Sequence, residues 1–211
     1  MPTQLHPDRP PSAPRPEERE GFTFRSGRLA LDFTATLAAR LKAEPRERLG
    51  VPEDLVRWLA AAGLGPGQPA GSEAELLAAR ELREAIHHLA WACIRREPFP
   101  PADRSVVNHW AAEPLPVPQL SAAGLAWTGQ GVRTGLAAVA RDAVDLFGGE
   151  LARRVRKCAN PGCAILFVDT SRSGRRRWCS MAACGNKAKV SAFRRRRQDG
   201  PEGWSEREGE A

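Results

Sequence analysis

Long apolar runs are missing from this 211-residue chain. No stretch approaches the roughly 18 consecutive apolar residues that a membrane-spanning helix needs, and residues 1–21 lack the apolar centre of an export signal. A soluble, cytoplasmic protein is expected. Catalytic signatures are missing as well: there is no Gly-rich phosphate loop, no Gly-x-Ser-x-Gly elbow and no His-Glu-x-x-His pair. The 4 histidines offer no substitute. His87 and His88 are adjacent and point apart on a helix, His109 lies beside Trp110, and His6 sits among prolines. No enzyme activity is expected. Self-similarity at periods of about 20–50 residues is also absent, which excludes a solenoid.

Acid is scarce in one part of the chain. Residues 1–150 carry 17 basic and 19 acidic side chains, whereas residues 153–197 carry 14 basic ones and a single acid, Asp169. The whole-chain charge of +7 therefore combines a near-neutral first part with a strongly cationic later one. Lysine is rare too. Of the 32 basic residues 28 are arginine, whose planar fork suits phosphate or base edges. Such asymmetry points to nucleic acid or another acidic surface.

Hydrophobic patterning supplies the organisation. Residues 1–21 hold six prolines and almost nothing large and apolar, which predicts a disordered leader. Residues 198–211, rich in Gly and Glu, predict a disordered acidic tail, whose Glu202, Glu206, Glu208 and Glu210 could fold back on the arginines. Residues 22–150 predict a mainly α domain. Helices are expected over 29–43, over Pro52–Ala62 with Gly63 as its stop, over 103–112 and over 133–147. The clearest begins after Ser72, whose capping box with Glu75 precedes the stripe Leu82, Ile86, Leu89 and Cys93 and which Pro98 ends. Residues 115–128 alternate around a Ser-Ala-Ala-Gly turn and predict a small β-hairpin. Asp32, among apolar neighbours, is expected as a buried hydrogen-bond acceptor. Trp58, Trp91, Trp110 and Trp127 are expected in the core, where they could also line a cavity for a small-molecule effector.

Residues 151–197 hold four of the five cysteines. Cys158-Ala-Asn-Pro-Gly-Cys163 and Cys179-Ser-Met-Ala-Ala-Cys184 each enclose four residues, and fifteen separate the pairs. Two short cysteine loops with a medium spacer are how a tetrahedral thiolate zinc site is built. Two disulfides would need an oxidising compartment, and neither pair has Cys-x-x-Cys redox spacing. One structural Zn²⁺ per chain, held by Cys158, Cys163, Cys179 and Cys184, is expected. Four thiolates close the shell, and with Asp169 as the sole carboxylate no catalytic zinc is expected. Cys93, alone on an apolar face, is expected to be a small buried hydrophobe. The run 164–169 predicts a strand, 170–174 a turn and 175–179 the returning strand. Gly185 is expected in a left-handed conformation and Asn186 as the N-cap of a final helix. Knuckle, hairpin, knuckle and helix is the layout of a treble-clef-like zinc finger.

These motifs resemble a known family. Cys158-Ala-Asn-Pro-Gly-Cys163, Leu166-Phe167-Val168-Asp169, Ser171-Arg172 and Arg177-Trp178-Cys179-Ser180-Met181-Ala182-Ala183-Cys184-Gly185-Asn186 look like the CGNR zinc finger, whose four cysteines match one for one. Gly27-Arg28-Leu29-Ala30-Leu31-Asp32-Phe33 resembles the start of the ABATE domain that usually precedes that finger. The resemblance covers about residues 22–197 and implies a bacterial, stress-linked transcription regulator with a helical N-terminal domain and a DNA-binding finger. Two departures stand out. The family's naming Arg is Lys187 here, and Thr34 and Ala35 occupy the stretch where an Asn usually follows Asp-Phe.

On a helical wheel Lys187, Ser191, Arg194 and Arg195 share a basic arc, while Val190 and Phe193 lie opposite and are expected to pack on the hairpin around Phe167. The expected nucleic-acid contacts are Arg172, Arg175, Arg176 and Arg177 in the turn, and Lys187, Lys189, Arg194, Arg195, Arg196 and Arg197 on the helix. A single small finger binds DNA weakly, so a homodimer through the helical domain is expected. The alternative is a zinc-stabilised protein–protein adaptor or RNA-binding protein without sequence-specific DNA readout.

Overall fold

The computed structural model describes residues 17–64, 70–129 and 131–198, with side chains placed up to Arg194. The leader up to residue 16, the tail beyond residue 198 and its proposed fold-back lie outside the described residues. Structure begins before residue 22: β1 (Glu18–Arg19) pairs antiparallel with β2 (Phe22–Thr23).

Helices dominate. The expected 29–43 helix stops early, as α1 (Leu29–Thr34). The hydroxyls of Thr34 and Thr36 donate to the carbonyls of Leu31 and Phe33, both at 2.7 Å, so the chain closes on itself instead of propagating the helix. Ala39 then turns at φ 57, and β3 (Leu37–Ala38) pairs with β4 (Arg46–Glu47). α2 (Pro52–Ala62) starts on Pro at its first position and ends at left-handed Gly63, as expected. α3 (Glu73–Arg95) has the expected reciprocal Ser72–Glu75 cap but ends at left-handed Arg96, ahead of Pro98. α4 (Pro101–Ala112) and α5 (Val132–Gly148) follow, separated by the hairpin β5 (Val117–Ser121) and β6 (Gly124–Thr128).

The apolar faces of α1 to α5 meet in one core containing Leu31, Phe33, Trp58, Leu82, Ile86, Leu136 and Leu146. Trp58 and Trp110 are buried there, but Trp127 is half-exposed on the β5–β6 hairpin, so the four indoles do not share a cavity. Cys93 is half-buried against this core, and burial pushes its thiol up to about 11. An ion-pair chain pins the β3–β4 hairpin to α3. Arg83, 4% exposed, grips both carboxylate oxygens of Glu47 at 2.6 and 2.7 Å and donates to Glu84, which is also held by Arg40. Arg28 and the amide of Ala30 bind Asp142 of α5, which fixes α1.

The chain then leaves α5 through a 3₁₀ turn, Glu150–Arg154, into β7 (Val155–Lys157), which pairs antiparallel with β8 (Leu166–Val168). This corrects the expected hairpin. β8 does pair, but with the strand preceding the first cysteine loop; residues 175–179 form no strand, because Asp169 holds the turn between them in another shape. A one-turn π-helix (Met181–Gly185) leads into α6 (Asn186–Gln198).

Alternation along β8 joins the two parts. Leu166 and Val168 face the helical core, whereas Phe167 faces the cysteines. The amide of Val168 donates to Ser26 O at 2.9 Å, and the amide of Ser26 donates to Asp32 Oδ1 at 2.9 Å. Asp32 is thus the expected buried acceptor, and burial, against the bonds from Ser26, pushes its carboxyl up to about 6. Ser180 Oγ donates to Glu17 at 2.7 Å and adds a second tether.

The ion-pair chain sets a pH dependence. Burial opposes ionisation of Glu84, yet Arg40 and Arg83 hold its carboxyl down to about 2. Its contribution is therefore complete above its ordinary value of 4.5 and is lost as pH falls toward 2. Because Glu84 is partly exposed, Glu84→Gln should cost at most roughly 1 kcal/mol, lowering Tm at pH 7 by about 2–4 °C. Melting curves should show this difference closing as pH falls from 4.5 toward 2.

Candidate metal centre and basic surface

The first cysteine loop sits at the tip of the β7–β8 hairpin. Asn160 Oδ1 accepts the amide of Gly162 at 3.1 Å, and the amide of Cys163 donates to Asn160 O at 2.9 Å, a tight turn that brings Cys158 and Cys163 together. Of the second pair, Cys179 precedes the π turn and Cys184 lies within it. There Ser180 Oγ accepts from the amide of Ala183 at 3.2 Å, so Ser180 performs the capping expected of Asn186, which lies inside the helix. Gly185 is not left-handed. A Cβ there would lie 2.6 Å from Sδ of the half-exposed Met181 and 3.4 Å from Trp178 Cδ1, so a larger residue would displace the Met181 side chain. The amide of Ala159 donates to Arg177 O at 2.8 Å and ties the two cysteine loops to each other.

All four sulfurs converge within 4.8 Å of one another. Cys163 and Cys179 Sγ are 3.8 Å apart, and Cys179 and Cys184 Sγ 3.7 Å. Bonds of about 2.3 Å in a regular zinc–thiolate tetrahedron give sulfur–sulfur edges of about 3.8 Å. Donors also face the sulfurs: the amide of Cys179 to Cys158 Sγ at 3.5 Å, and Asn160 Nδ2 to Cys184 Sγ at 3.6 Å. Such bonds stabilise thiolates rather than disulfides.

The electrostatics also call for a cation. The contact from Cys179 pulls the Cys163 thiol down to about 5, and the same contact, with burial and neighbouring charge, pushes Cys179 far up. Burial and the charge on Cys163 push Cys184 up as well. Left to themselves Cys179 and Cys184 hold their protons; a divalent ion among the four sulfurs lets them ionise. Donor set, spacing and second-sphere bonds fit zinc, and the quartet is a zinc site of four cysteines.

Around the site lies a small apolar cluster of Phe167, Ile165 and Trp178. The Arg176 guanidinium covers Phe167 at 4.8 Å, and its Nε donates to Trp178 O at 2.8 Å and its other end to Cys179 O. With Phe167 so covered, Val190 and Phe193 do not pack around it, contrary to expectation, and are 49% and 56% exposed. Asp169, 1% exposed, accepts from Ser171 N at 2.9 Å, Ser171 Oγ at 2.5 Å and Arg176 N at 2.9 Å. Burial would raise its carboxyl, yet these bonds and Arg154 hold it below the usual range.

The basic residues separate accordingly. Arg172, Arg175 and Arg177 of the turn, and Lys187, Lys189 and Arg194 of α6, are exposed, whereas Arg176 is spent inside the finger. Arg195, Arg196 and Arg197 continue α6, and their side chains lie outside the described ones. Spacing alone did not single out Asn160 and Asp169 as structural, although both stand two residues before the amide they accept, the signature of an Asx turn. Among the described residues no helix is long and apolar enough to cross a membrane.

Comparison with known families agrees with this geometry. Residues 27–150 match the family model of the ABATE domain, described as "Putative stress-induced transcription regulator", and residues 154–197 match that of the CGNR zinc finger. No curated protein matches the chain.

Metal analysis should find one zinc per chain, and Cys184→Ser should weaken its retention against a competing chelator at least about tenfold, since one of four thiolates is lost and water enters the shell. Freshly purified protein without zinc would refute the assignment.

Proposed function

We propose, from the premise that the chain belongs to the ABATE family of stress-induced transcription regulators and carries a CGNR zinc finger, that the finger binds DNA through its exposed arginine turn and α6. The family is described as a transcription regulator and not as an enzyme. Supporting the reading is one observation: among the described residues, Arg172, Arg175, Arg177, Lys187, Lys189 and Arg194 are all exposed and none has a carboxylate partner. Bound zinc supplies the fixed centre that holds turn and helix in one unit. From there Asp169 keeps the turn in shape, Arg176 spends its guanidinium on the finger's own carbonyls, and the remaining cations lie ready for phosphate oxygens. α6 is the element that could enter a major groove, with Lys187 and Lys189 near its start.

The helical part serves as the sensing or dimerising half. Its β5–β6 hairpin offers a surface for a second copy, with Leu120 94% and Leu125 70% exposed directly across from each other. A second reading has its own support: the exposed Val190 and Phe193 on α6 suit a protein partner and hence an adaptor role.

Retention of duplex DNA at low salt should fall steeply as salt rises, and Arg175→Ala or Arg194→Ala should each flatten the log–log slope by about one unit. Arg176→Ala should instead lower thermal stability. No salt-sensitive retention would favour the adaptor. Light scattering at micromolar concentration should find a dimer that Leu120→Asp with Leu125→Asp converts to monomer; a strictly monomeric parent would remove the dimer from the account.

A further inference from the structure

We propose that the cleft between the end of α3 and β7 is a binding site for an organic anion: a carboxylate on an apolar, aliphatic body. This deepens the ligand-sensing half of the proposed function and stands apart from its DNA-binding half. The cleft encloses about 740 Å³, within the range of about 300–1,000 Å³ that holds small organic ligands. Cys93, Ile94 and Phe99 give it an apolar lining, and Arg96, Arg153 and Arg156 line it as well.

Two of the three arginines are not spent elsewhere. Among the described residues Arg96 and Arg153 are exposed with no ion pair, and Arg156 donates only to the carbonyls of Arg153 and Val155. Glu97, the one carboxylate on the lining, lies 3.8 Å from Arg95, which does not line the cleft. An inorganic anion would satisfy the guanidiniums and leave the apolar lining wet, and a hydrocarbon would do the reverse. A carboxylate with an apolar body satisfies both.

Arg96 supplies an independent observation. It closes α3 at φ 61 and ψ 39, the left-handed position where glycine is the default and any side chain is strained. The closure itself is ordinary, with the amide of Glu97 donating to Ala92 O at 2.9 Å, and glycine would make it without strain. The arginine therefore stands against the backbone's preference, at the edge of the cleft. The position also suits a signal. One wall is α3 and the other is residues 152–156, which run into β7 and, two positions after Arg156, into the ligand Cys158.

The test uses full-length, zinc-loaded protein, sodium decanoate as probe and decanol as its uncharged control, read by titration calorimetry and thermal melts. Decanoate should bind saturably, one per chain, and raise Tm; decanol should bind at least about tenfold more weakly, the loss of one charge-assisted pairing. Arg96→Gly should weaken decanoate binding at least about tenfold while Tm without ligand stays level or rises, because glycine relieves the cap. That combination separates a ligand-binding arginine from a structural one. Arg153→Glu should weaken the probe likewise. Equal binding of decanol and decanoate, or an Arg96→Gly protein that binds decanoate as the parent does, would overturn the site. So would an Arg153→Glu protein that loses duplex DNA but keeps decanoate, which would assign that arginine to nucleic acid.

Discussion

Four cysteine sulfurs within 4.8 Å of one another cannot all carry charge unless a cation lies among them, and residues 155–198 are arranged around that constraint. The cluster beside them is too small to hold a fold alone: Phe167, Ile165 and Trp178 are its apolar members apart from the cysteines. Zinc therefore acts as the staple. Counting four thiolates and one divalent ion, the centre carries about −2, opposite in sign to the exposed cations of the turn and α6. Asp169 and Arg176 complete the arrangement by turning one acid and one base inward, while Arg172, Arg175, Arg177, Lys187, Lys189 and Arg194 face water.

The second constraint is the two-sided use of β8. With Leu166 and Val168 in the helical core and Phe167 against the cysteines, a one-residue slip of register would put the wrong side chain on both faces. The bonds from Val168 to Ser26 and from Ser26 to Asp32 then give the Asp-Phe segment of α1 a physical role: its buried carboxyl holds the loop on which the finger's strand docks. The helical part and the finger thus share a wall instead of being joined by a free linker.

Much of this was legible in the sequence where the signal is local and strong. Pro52 with Gly63, the Ser72–Glu75 box and the Ser-Ala-Ala-Gly turn each state their own backbone chemistry, and the elements fall where those residues put them. The cysteine spacing gave the zinc quartet for the same reason. Failures came where a tertiary partner decides. Nothing local says that Thr34 and Thr36 close α1, that β8 pairs backward with Val155–Lys157, or that Arg176 caps Phe167 and so leaves Val190 and Phe193 outside. Gly185 does not take the left-handed turn expected of it; it continues the π turn into α6. The basic residues were legible as charge but not as roles, since turning inward or outward depends on carbonyls distant in the sequence.

The most direct measurement is X-ray absorption at the zinc edge of the purified full-length protein. Four sulfur neighbours at about 2.3 Å and no nitrogen or oxygen in the first sphere are what four converging cysteines require. A first sphere with water, histidine or carboxylate ligands would contradict the account, because the finger would then be built around something other than Cys158, Cys163, Cys179 and Cys184.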